Sequence, residues 1–167
     1  THSHTAACAT PVFQSDPDAE YKRFLASRIA DGIRRARNNL RPARYARGSC
    51  AVPGEVFNRR WFMKEGTVPP DPFGRKADTV KMNPPRASED LVEPEGPTDP
   101  EVSFLAFETP DGEPLALLAN YSLHYVGGAG GGHISADYFG YFARYIEDML
   151  GTEDEETPFV AMLSNGT

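Results

Sequence analysis

The run Val102-Ser103-Phe104-Leu105-Ala106-Phe107, then Asp111-Gly112, then Leu115-Ala116-Leu117-Leu118-Ala119, constrains the fold more than any other stretch. β-Branched and aromatic residues bounded by a turn dipeptide predict a strand, and Asp-Gly between two such runs predicts a hairpin. The second run shows no polar alternation, as expected of a strand buried on both faces. A further apolar run, Phe159-Val160-Ala161-Met162-Leu163, predicts another strand after a break. The centre of this chain is therefore expected to be a sheet.

Two helices flank that expectation. Tyr21, Leu25, Ile29, Ile33, Ala36 and Leu40 recur at helical spacing, with Phe24 widening the stripe. Asp16-Pro17 supplies a cap followed by proline at the first helical position, and Arg41-Pro42 ends the pattern, so a helix is predicted over 17–39 with one face covered. Phe139, Phe142, Ile146, Met149 and Leu150 form the apolar face of a second helix over 135–150, capped by Ser135. The fold class predicted is α/β: a mixed β-sheet core built from the hairpin 102–121 and the strand 159–163, with flanking helices. Residues 43–60 read as short extended pieces, and residues 64–100, rich in proline, glycine and charge, as a long surface loop. No internal repeat is visible.

Both ends read as cut. The chain opens without Met on Thr1-His2-Ser3-His4 and stops as a buried strand reaches a turn, so residues 1–167 are expected to be an incomplete domain from the middle of something larger.

Composition removes several functions. The 167 residues carry 40 % apolar and 25 % charged side chains, values of a folded domain, and a net charge of −7. The one basic run, Arg34, Arg35, Arg37, Arg41, Arg44 and Arg47, falls on a helix end and the loop after it, where cations are favoured anyway. Without a basic cluster interleaved with aromatics, no nucleic-acid partner is expected. No stretch approaches the roughly 18 apolar residues of a membrane span. Cys8 and Cys50 match no zinc spacing; they could pair in an oxidising compartment or stay as free buried thiols, and free thiols are favoured.

Histidine carries the chemistry. On an extended backbone positions i and i+2 face one side, so His2 and His4 can address one pocket. His124 stands just past a strand, where the chain breaks into glycine, and strand ends collect functional side chains. A catalytic zinc takes about three protein ligands and a water, which these histidines could supply wholly or in part. A pair of histidines near a terminus is also an ordinary solvated feature, and a lone one at a strand end is often structural. The segment Gly127-Gly128-Ala129-Gly130-Gly131-Gly132 precedes a helix but lacks the lysine of a phosphate loop, and Asp137 would repel an anion, so it reads as a close-packed or adaptable turn. His133 receives no role.

Taken together these segments resemble the neutral/alkaline ceramidase family. Thr1-His2-Ser3-His4-Thr5 is similar to its Thr-His-Thr-His-Ser motif, and Phe57-Asn58-Arg59-Arg60 to its Asn-Arg-Ser-Pro segment. Asn120-Tyr121-Ser122-Leu123-His124 resembles its Asn-x-x-x-His strand end, and Ile134 to Gly140 its Ser-x-Asp-x-x-Gly helix start. Phe159 to Thr167 resembles the strand that leads to the family's nucleophile turn. The resemblance runs in order over nearly the whole chain. It implies a zinc-dependent hydrolase of N-acyl amide bonds, with His2 and His124 as zinc ligands, His4 beside the metal at the substrate carbonyl, and Arg59 contacting the reacting centre. It also implies that a glutamate and a tyrosine ligand and the nucleophilic serine lie beyond this sequence, so that the chain alone is inactive. A lipid amide such as ceramide would be the substrate, met by peripheral contact with a membrane, in a secreted, periplasmic or cell-surface enzyme. Arg60-Trp61 replaces the family's Ser-Pro, and the stretch from Arg59 to His124 is longer than the family's, which puts the acyl groove and the substrate in question. The competing reading is a non-catalytic domain, or another metal-dependent hydrolase fold, whose histidines do structural work.

Overall fold

The computed structural model describes residues 4–11, 13, 15–125, 132–151 and 157–166. The described residues fall into two units, one formed by Thr1–Cys50 with Val102–Thr167 and the other by Ala51–Glu101. The first unit carries both helices and a mixed sheet, and the second an antiparallel sheet, so the chain is α/β as expected.

In the first unit the helix α1 spans Ala19–Asn38. Its cap is Asp18, two residues later than expected: the carboxylate accepts from the N–H groups of Glu20 and Tyr21 at 2.7 and 2.9 Å. Either aspartate suits the role, and the one that remains outside the first turn with extended backbone takes it. The expectation that one face of α1 is covered is not met. No residue of α1 is buried, and Phe24, Ile29 and Ile33 are 60 %, 54 % and 64 % exposed. The amphipathic stripe fixes the helix but does not provide its partner.

The sheet of this unit has four strands in the order β1-β5-β6-β7, with β1 at Arg44–Ala51, β5 at Glu101–Glu108, β6 at Pro114–Tyr121 and β7 at Val160–Asn165. The strands β5 and β6 form the predicted antiparallel hairpin, with Leu105 opposite Leu118. At its turn Gly112 has φ +96°, and the Gly112 N–H donates to the Thr109 carbonyl at 3.0 Å. Only glycine takes that φ without strain. The strand β7 then lies parallel to β6, with Ala119 beside Leu163 and Tyr121 beside Asn165. The helix α2, Asp137–Leu150, falls between them in sequence and packs on β7, making a β-α-β unit.

The core is one-sided. Ala119 and Tyr121 from β6 and Ala161 and Leu163 from β7 are buried on the face toward α2, with Tyr125 and Phe159 beside them. The opposite face carries Leu105, Leu118, Val160 and Met162, each more than a third exposed. Burial of β6 on both faces is therefore corrected to burial on one. An unbroken apolar run shows that neither face needs water; it does not show that both are covered.

The second unit holds a three-stranded antiparallel sheet in the order β3-β2-β4, with β2 at Arg60–Met63, β3 at Val80–Met82 and β4 at Leu91–Pro94. Val56 and Met63 are its buried apolar residues. Arg60 and Glu95 form a two-pronged ion pair, both contacts at 2.8 Å. The strands β3 and β4 correct the long loop expected at 64–100. They are three and four residues long and carry little apolar periodicity, because ladder and turn hydrogen bonds hold them where a deep core does not.

Cys8, half-buried, and Cys50, exposed, are not joined to one another. No helix among the described residues is long and apolar enough to cross a membrane.

Candidate functional site

The parallel pair β6 and β7 brings two carboxyl ends to one edge of the sheet, the place where open α/β sheets hold ligands. Side chains lock this edge. The Asn120 amide nitrogen donates to Ser164 Oγ and to the Asn165 carbonyl, both at 2.8 Å, and Ser164 Oγ donates to the Ala119 carbonyl at 3.3 Å. The Gly166 N–H donates to the Tyr121 carbonyl at 2.8 Å, extending the ladder past the strand. A Cβ on Gly166 would stand 2.9 Å from Asn120 Oδ1 and 3.1 Å from Ser122 Cα, so only glycine fits there. The asparagine of the Asn-x-x-x-His segment is thus a fastener between strands.

His124 follows on this edge, exposed, just after β6 ends. His4 comes to it from 120 positions away in sequence: the two imidazole centres are 5.0 Å apart, edge to face at 87°. His4 also stacks on Tyr125, 5.9 Å between ring centres at 18°, and Tyr125 stacks on Phe139 of α2. Residues 4–6 form a bend rather than a strand, so a ladder does not place His4. Tertiary hydrogen bonds do. The Ser135 N–H donates to the Thr5 carbonyl at 3.2 Å, Thr5 Oγ1 donates to the Ser135 carbonyl, and Thr5 Oγ1 also meets the Tyr125 hydroxyl. Thr5 is thereby tied to the segment before α2.

The start of α2 is built for this junction. Ser135 Oγ accepts from the Asp137 N–H at 3.0 Å, so the serine acts one position outside the helix rather than as its direct cap. Asp137 has φ +49°, a left-handed conformation that aspartate tolerates better than most residues. Gly140 approaches Ala136 so closely that a Cβ there would lie 2.8 Å from the alanine methyl. Ser135, Asp137 and Gly140 each have a local structural reason.

Tyr138 and Asn165 both donate to the Leu123 carbonyl, at 2.5 and 2.6 Å. Burial holds the Tyr138 phenol neutral up to about 12, and the nearby Asp137 carboxylate and Tyr121 push in the same direction. A phenol whose folded value lies above its ordinary 10.0 contributes stability that is complete below pH 10 and lost as the pH climbs through about 12. Thermal melts between pH 9 and roughly 12 should therefore fall more steeply for the wild type than for Tyr138→Phe. Parallel curves would refute the assignment.

Of the expected site residues, His4 and His124 are brought together. His2 lies outside the described residues, as does the glycine-rich segment up to Gly131. Arg59 belongs to the Ala51–Glu101 unit, exposed, its carbonyl accepting from the Asn83 N–H at 2.8 Å. His133 is exposed. Among the described residues no group of three or more His, Cys, Asp or Glu side chains gathers as a metal site. Thr5, Tyr125, Tyr138 and Asn165 received no role from the sequence, although Thr5, Tyr138 and Asn165 fall inside segments it singled out. Their signal was adjacency: each lies within two residues of a position already singled out. No family model matches the sequence, and no curated protein matches it at a significant level.

Proposed function

We propose that this chain carries part of the active site of a zinc-dependent amidohydrolase that cleaves the N-acyl amide bond of ceramide or a related lipid amide. The observation that supports it is the approach of His4 to His124. The separation found is 5.0 Å. Imidazole is a usual zinc ligand, and a separation this short lets an ion held by His124 stand beside His4.

His124 and His2 are the proposed ligands, with His4 at the substrate carbonyl. Zinc, when bound, polarises the amide carbonyl and activates the attacking oxygen. The chain's own part is to hold the imidazoles at a sheet edge, where they need not reorganise as charge develops. Tyr125 carries His4 on its ring, and Thr5 and Ser135 fasten the segment that bears it.

The test uses the intact protein. Metal analysis should find zinc in stoichiometric amount, and hydrolysis of a fluorescent ceramide should cease on chelation and return on adding zinc. Cleavage of short acyl-amino compounds with ceramide untouched would overturn the lipid assignment and keep the amidohydrolase. The stack His4–Tyr125–Phe139 favours a second reading in which the histidines only pack. Protein that binds no zinc and melts unchanged in chelator would establish that reading instead.

A further inference from the structure

The peptide leading into His124 is held by side chains rather than by a ladder. Residues 122–125 belong to no strand. The acyl half of that peptide is the Leu123 carbonyl, and it accepts from Tyr138 Oη at 2.5 Å and from Asn165 Nδ2 at 2.6 Å. The donors arrive from different elements, Tyr138 from the first turn of α2 and Asn165 from the last residue of β7. A peptide unit is planar, so two donors on its oxygen also fix the direction of the bond into the His124 Cα. Neither donor is incidental. The α2 start that delivers Tyr138 carries the positive φ of Asp137 and its bond to Ser135 Oγ. The Asn165 amide is turned so that its nitrogen faces Leu123, and this leaves Oδ1 buried without a partner among the described residues.

We propose that Tyr138 and Asn165 are positioning residues for His124: together they hold the Leu123–His124 peptide so that the imidazole meets His4, and any ion it holds, in one orientation. The metal half of this statement rests on the amidohydrolase reading; the ordering of the His124 ring does not. Groups that orient a ligand from behind are commonly worth tenfold or more in metal affinity.

Tyr138→Phe and Asn165→Leu, each removing one donor at near-constant volume, are made singly and together in the intact protein. Zinc affinity is read by competition with a chromophoric chelator, and the imidazole signals by NMR of histidine-labelled, chelator-treated protein. Each single change should weaken zinc about tenfold, and the pair more. In the metal-free protein the His124 signals should shift or broaden while those of His133 stay in place. Gly48→Ala serves as the control for lost stability, because its Cβ would meet the Phe104 ring at 2.5 Å, in β1 and β5 and away from Leu123. Unmoved His124 signals in the double variant overturn the proposal whatever zinc does. An equal loss of zinc in Gly48→Ala, at equal loss of melting temperature, overturns it as well. Wild-type protein without zinc refutes the hydrolase reading alone, and the NMR comparison still decides the positioning.

Discussion

Replacing His124 with alanine is expected to abolish stoichiometric zinc binding and to lower amide hydrolysis by about 10²–10⁴-fold. The magnitude follows from what a Lewis acid supplies, several kcal/mol of stabilisation where charge develops on the carbonyl oxygen, at about 1.4 kcal/mol per factor of ten. Loss of one ligand from a site with about three protein ligands leaves too few to hold the ion at ordinary zinc levels. His124 is exposed and ends no strand, so folding should survive the change. Metal content, turnover and melting temperature measured on one preparation separate these effects. His133→Ala, also exposed, is the matched control. A His124→Ala protein that keeps both zinc and turnover would remove His124 from the site, and the proposed function with it.

Tyr125→Ala is expected to be the most destabilising single substitution near the site, costing about 3–5 kcal/mol, the range for removing a large aromatic side chain from a core. Tyr125 is the most deeply buried large side chain among the described residues, 1 % exposed. Its ring lies between His4 and Phe139, and its hydroxyl donates to the Ser135 carbonyl at 2.9 Å and meets Thr5. Tyr125→Phe keeps the ring and loses only the hydroxyl, for about 0.5–1.5 kcal/mol per bond. Denaturant titration of the two variants apportions the cost between packing and hydrogen bonding. The same pair tests the link from fold to function. Phenylalanine leaves the stacking partner of His4 in place, so zinc affinity should fall far less than in the alanine variant. A cost below about 1 kcal/mol for Tyr125→Ala would show that the side chain can be dispensed with and that His4 is held by the Thr5–Ser135 bonds alone.

Much of the scaffold was legible because its signals are local. The Asp-Gly turn, the apolar runs either side of it and the helical stripes depend on residues close in sequence, and each specifies an element without reference to the rest. Errors arose where a local signal was asked for a tertiary fact. The stripe on α1 predicts a helix correctly but leaves Ile29 and Ile33 uncovered. The apolar run of β6 predicts a strand, while its burial on one face was set by where α2 packs. The strands β3 and β4 escaped notice because three or four paired residues need no hydrophobic period.

The sequence by itself determined which side chains were available for chemistry: imidazoles at 2, 4 and 124, an arginine at 59, and elements whose ends would expose them. Only the tertiary structure decided that His4 meets His124. That meeting depends on a parallel register between β6 and β7, on the Thr5–Ser135 bonds and on the ring of Tyr125. Residues so far apart along the chain acquire a common position only when loop closure is offset by packing and hydrogen bonds made together, and no local pattern encodes that sum.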